Sequence, residues 1–213
     1  MPMANYTSEV TPASVKTWGD LLKKTGVVAQ LQAHKIDQGA SVTAMTQALS
    51  AYAEAVKGGV YGARQARVAL DKATKAIRPL LAKVGAASKQ DFGVLTKFIS
   101  TVEKELRSCE SVLKDMDVAR GRVTATAPKA ELAWASYAKN AGASGGELSK
   151  MLEVLGSCAS ALTFADKEKW KKFQPKFVQI GQACANEQDV KKVVSTYDKE
   201  LRGLLKEVMA LAK

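Results

Sequence analysis

Apolar residues recur at alternating steps of three and four along two long stretches of this chain, Val42 to Val84 and Phe92 to Tyr137. Neither series slips over about six heptads, the period of helices that pack side by side along their length. An average helix of about 11–12 residues cannot hold such a series. The spacing therefore predicts two long helices, rods of roughly 65 Å and 70 Å at ~1.5 Å rise per residue. The first seam passes through Met45, Leu49, Tyr52, Val56, Gly59, Ala63, Leu70, Ile77 and Leu80, and the second through Leu95, Ile99, Leu106, Cys109, Met116, Arg120, Val123 and Trp134.

The rest of the chain follows the same pattern. Glu147 opens a third apolar series through Leu148, Leu152, Leu155 and Leu162. Its register then shifts to Trp170, Phe173, Phe177, Ile180 and Cys184, a four-residue insertion that locally unwinds a supercoil. Val190 to Leu211 completes the series. The predicted fold is all-α: an elongated antiparallel three-helix coiled coil with kinked long helices, paired as a dimer. Helices are expected over about 41–84, 88–140 and 147–212, the last interrupted near 163–168 and 185–187. Residues 1–40 read as an N-terminal tail with short amphipathic helices, and 41–213 as a single domain. Ser14, Ser41 and Ser88 are the expected caps of the first short helix and of the first two long helices, with Asn186 and Asp189 marking a kink or the last start. Gly58, Gly59 and Gly62 predict a bend or close crossing in the first rod. Pro128 predicts a kink in the second. Ala141 to Gly146 reads as a loop.

Composition narrows the function. Only five prolines occur among 213 residues, which suits long helices. No apolar run approaches the ~20 residues that span a bilayer, and the first residues lack the pattern of a secretory signal. The three cysteines, Cys109, Cys158 and Cys184, form no closely spaced pair and read as buried thiols in a reducing compartment. The single histidine, His34, excludes sites that need two, and no Glu-x-x-His metal pair occurs. The Gly58-Gly-Val-Tyr-Gly run lacks the Lys-Ser/Thr of a phosphate loop. The expectation is a protein that is not an enzyme and takes no metal or cofactor.

Charge supplies the positive signal. The chain carries a formal net charge of +11, a surplus that favours anionic partners. From Lys57 to Lys83 seven basic residues meet one acid, Asp71. Arg64, Arg67, Lys75 and Arg78 share one helical face, with Lys57 and Lys72 nearby. Solubilising faces ordinarily mix both signs. A second cluster, Lys167, Lys169, Lys171, Lys172 and Lys176, surrounds Trp170, Phe173 and Phe177, which their spacing assigns to the core. The helix bearing Trp18, Leu21 and Leu22 offers a membrane wedge or simply the start of the bundle.

The stretch from Val112 to Lys139 resembles the second long helix of BAR-domain proteins through Leu113, Asp117, Ala119, Arg120, Arg122, Lys129 and Tyr137, with Met116 where that family commonly has tyrosine. The resemblance implies a curved antiparallel dimer whose basic surfaces hold anionic membrane. Arg120 lies on the apolar seam, where a polar residue fixes register. It is expected to pair with an acid, Asp117 being nearest, or to reach the seam's edge. The functional expectation is a cytoplasmic, peripherally membrane-associated homodimer. It would sense or induce curvature on phosphatidylserine or phosphoinositide surfaces through the two basic clusters. A coiled-coil adaptor for an acidic protein partner or cargo is the alternative. Nucleic acid is disfavoured, because recognised motifs and exposed aromatics are lacking.

Overall fold

Three glycines within five positions, Gly58, Gly59 and Gly62, decide where the first seam stops being a helix. Each costs about 1 kcal/mol against alanine in a helix interior. In the computed structural model, which describes residues 8–139, 145–163, 167–187 and 189–213, the chain breaks there. Helix α3 (Ala40–Ala55) closes in a 3₁₀ turn, Val56–Gly58, and α4 (Arg64–Ser88) starts after a short loop. Gly59 sits at φ 105° and ψ 156°, a region open essentially to glycine alone. The expected rod over 41–84 is therefore two helices, and the glycines end the helix rather than bend it.

The described residues form eight α-helices and no strand. The others are α1 (Pro12–Thr25), α2 (Val27–Ala33), α5 (Gly93–Lys139), α6 (Gly145–Leu162), α7 (Lys167–Asn186) and α8 (Val190–Leu211). They fall into two compact units, Tyr6–Leu113 and Lys114–Lys213, and the division lies within α5.

In the first unit the contacts fix the directions of the helices. Trp18 of α1 stacks on Phe98 of α5, centroids 5.4 Å apart, and its indole N–H donates to Thr46 Oγ1 of α3 at 2.9 Å. Further along, Tyr52 of α3 donates to Glu105 of α5 at 3.1 Å. Hence α3 and α5 run the same way. Arg78 meets Glu103 and Arg67 meets Glu110, so α4 runs against α5 and therefore back along α3. Ser8 and Glu9, which precede α1, reach the same Glu105, so α1 is also antiparallel to α5. This is an up-down-up-down four-helix arrangement. The N-terminal helices belong to its core: Trp18, Val27 and Leu31 are fully buried.

In the second unit the expected interruptions of one long helix are reversals. Gly156 of α6 faces Phe177 and Gln174 of α7, and Gly181 of α7 faces Ser149 of α6, so the two helices cross antiparallel at close range. Lys172–Glu207 and Lys176–Glu200 tie α7 antiparallel to α8. Trp134 of α5 donates its indole N–H to Asp198 of α8 at 2.8 Å. A single apolar cluster joins the four helices through residues such as Val123, Trp134, Leu152, Phe177 and Leu204.

The second seam holds throughout. From Phe92 to Tyr137 every seam residue is buried except Arg120, which is half-buried. Pro128 removes one helix hydrogen bond, yet α5 runs on past it to Lys139. The caps differ from those expected. Asp37 Oδ2 accepts from the Ser41 N–H at 2.6 Å and Asp91 Oδ1 from the Gly93 N–H at 2.7 Å, while Ser88 bonds back into α4 through Val84 O. Ser14 instead sits inside α1, where its hydroxyl accepts from the Thr11 N–H. Asp189 caps α8 by accepting from the Lys192 N–H at 3.1 Å. A carboxylate accepts these free N–H groups more strongly than a hydroxyl does. Of the expected loop 141–146, Gly145 and Gly146 open α6 and the rest lies outside the described residues.

Candidate functional site

The basic face of α4 is answered by acids from another helix. Arg78 makes a two-pronged contact with Glu103, Nε at 3.1 Å and the terminal nitrogen at 2.8 Å, and a third bond to Ser100 Oγ at 2.8 Å. Arg67, its side chain largely covered, reaches Glu110 at 3.5 Å. Lys75 holds Asp71 at 2.6 Å, Lys57 holds Glu54 at 2.7 Å, and Arg64 stacks over the Tyr61 ring at 4.8 Å. Lys72 is exposed. The lack of acids along α4 thus reflects partners placed on α5. Arg67 and Arg78 clamp α4 to α5, and exposed pairs of this kind each contribute about 0–1 kcal/mol.

The lysine cluster divides differently. Lys172 pairs with Glu207 at 2.5 Å and lies 5.8 Å from the Phe173 ring centroid. Lys176 pairs with Glu200 at 2.8 Å, and that hydrogen bond raises its pKa. Lys171 lies 3.4 Å from Glu168, both well exposed. Lys169 is exposed and engaged. The side chain of Lys167 lies outside the described residues. Phe173 and Phe177 are core, as their spacing predicts, but Trp170 is 41% exposed. The seam assignment fails at Trp170 because burial depends on side chains of other helices, which a periodicity cannot report.

The wedge expectation also meets a correction. Trp18 has no exposed surface and its N–H is satisfied within the first unit, while Leu21 and Leu22 are half-buried. This helix presents no tryptophan to a membrane in the folded unit. Arg120 and Asp117 are both engaged.

Two polar groups central to packing escaped the periodicity. Glu105 is 4% exposed and accepts from Tyr52 Oη, Ser8 Oγ and the Glu9 N–H. It pins the segment ahead of α1 to α5. Asp198 accepts from Trp134 and, at 2.9 Å, from Arg202. The indole bond first, then Arg202, holds its carboxyl below the usual aspartate range. A lowered carboxylate pKa stabilises the fold above the unfolded-state value near ~4, and the gain is lost as pH falls through the folded value. Asp198→Asn is therefore expected to cost about 1 kcal/mol at pH 7, a figure reduced for solvent screening. The gap from the parent should narrow as pH falls below about 4. Thermal melts of both proteins across pH 3–7 read this directly; a gap that widened on acidification would reverse the assignment.

All three cysteines are buried free thiols. Burial pushes Cys184 up to about 11, so it is a poor nucleophile at neutral pH. No group of His, Cys, Asp or Glu able to hold a metal ion occurs among the described residues. Nor is any described helix long and apolar enough to cross a membrane. Comparison with protein-family models, curated proteins and solved structures finds no match.

Proposed function

We propose that this chain is a non-enzymatic scaffold that binds anionic membrane surfaces peripherally. One observation carries the reading. With 32 basic and 21 acidic side chains, pairing every acid with one cation would still leave the formal net charge of +11 unbalanced. Such a surplus repels itself unless an external anion neutralises it, and an anionic leaflet offers about 1 kcal/mol per cation near its surface. The reading rests on charge rather than on the resemblance to BAR domains. A curvature-sensing, BAR-like homodimer is the narrower form of the same proposal, and sedimentation equilibrium with vesicles of graded diameter tests it.

The broad form is tested by vesicle sedimentation. Vesicles containing phosphatidylserine or phosphoinositide should pellet the protein. Raising the salt from about 0.1 M to 1 M, which shortens the Debye length from ~10 Å to ~3 Å, should release most of it. Equal pelleting by neutral phosphatidylcholine vesicles would overturn the mechanism.

A further inference from the structure

A helix laid on a bundle buries a residue every three or four positions. The start of α7 does not: Glu168, Lys169, Trp170, Lys171 and Lys172 are exposed in succession, and Phe173 is the first buried side chain from Glu168 onward. Trp170 lies in register with Phe173, Phe177 and Ile180, so the apolar seam of α7 continues one position beyond its buried part. The chain treats its other two tryptophans differently. Trp18 and Trp134 are 0% and 1% exposed, and each indole N–H has an acceptor. Trp170 is 41% exposed, and none of the hydrogen bonds among the described residues uses its N–H.

The charge around it is one-sided. Lys167 to Lys172 contains four lysines and one acid. The antiparallel run of α8 brings Glu207 beside Lys172, and exposed Lys206 lies next to it in that helix. We propose that this leading turn of α7 is the membrane-seating element, with Trp170 at the headgroup level and the flanking lysines on lipid phosphates; this rests on the membrane reading above. Tryptophan favours the membrane–water interface because its ring is apolar and its N–H is polar. Lysine stems lie along apolar surface while their ammonium groups reach the phosphates. An exposed turn enters a fluid layer without a matching pocket. A protein partner would instead have to enclose the ring within a dry rim.

Intrinsic fluorescence tests this, because two of the three tryptophans are already buried. Adding phosphatidylserine-containing vesicles should shift the emission to the blue and protect it from acrylamide. Trp170→Ala should abolish both changes and weaken vesicle binding about tenfold, with an unchanged melting temperature because the side chain is half outside. Lys169→Glu combined with Lys171→Glu, a change of four unit charges, should weaken binding by roughly several hundredfold at low salt, at about fivefold per unit charge. If the parent binds these vesicles and both variants bind as well as it does, the membrane reading stands and this element is overturned. If the parent binds no anionic vesicle, both fall. Capture by polyglutamate instead of vesicles, lost in Trp170→Ala, would make the turn a protein contact and also overturn the proposal.

Discussion

Replacing Trp18 with alanine is expected to destabilise the first unit by about 3–5 kcal/mol, the cost of removing a large, fully buried aromatic side chain. Its ring stacks on Phe98, and its N–H is held by Thr46. The substitution therefore opens a cavity between α1, α3 and α5 and also removes a buried hydrogen bond. For a chain of this size the melting temperature should fall by about 10 °C. Trp18→Phe keeps most of the volume and loses only the hydrogen bond, at about 1 kcal/mol. The contrast separates the two roles read from this helix. A wedge tryptophan would lose membrane affinity on substitution while stability stayed constant. A core tryptophan loses stability first, and an Ala variant that melted like the parent would refute the packing described here.

The second seam was legible because its information is local. Each of its side chains needs only the 3.6-residue period and an apolar neighbour, and α5 supplies both from Phe92 to Tyr137. The first seam shows the limit of the same reasoning. A heptad count passes smoothly through Gly59 and Ala63, because both are small enough to count as seam positions. Whether the backbone continues there is a balance between the glycine cost and the packing gained by turning back. That gain depends on α4 finding α3 and α5, which no window of α3 contains. The same non-locality turned one expected third helix into α6, α7 and α8.

The candidate surfaces follow this division. The acids that answer Arg67 and Arg78 lie at Glu110 and Glu103, so a charge count along α4 alone reads a clamp as a free stripe. A cross-helix sum would have found them: the heptad seams already imply that α4 and α5 lie antiparallel around Val84 and Phe92, which brings these pairs level. Glu105 gave no comparable signal, since a carboxylate next to seam residue Leu106 reads as solvated until Tyr52 and the segment ahead of α1 are seen to cover it. Trp170 had the opposite fault. Its period is right and its burial is not.

Gly156→Leu is expected to cost the second unit about 3 kcal/mol or more, through overpacking rather than lost contacts. A side chain begun at Gly156 meets Phe177 Cβ at 3.3 Å and the Gln174 carbonyl oxygen at 3.4 Å. A β-carbon alone is tight there, and three further carbons must push α6 off α7. The whole cluster from Leu152 to Ile180 rests on that crossing, so the helices cannot separate locally without uncovering Phe173 and Phe177. Hydrogen exchange should rise across α6 and α7, and the melting temperature should fall by about 10 °C. Gly121→Ala provides the internal comparison. Gly121 lies inside α5 with nothing within 4 Å of its added carbon, so alanine there should stabilise the chain by about 0.5–1 kcal/mol through helix propensity and a less flexible unfolded state. Opposite signs at two helical glycines are the signature of a close α6–α7 crossing. Two variants moving the same way would mean that the glycines report only helix propensity, and that α6 and α7 do not approach at Gly156.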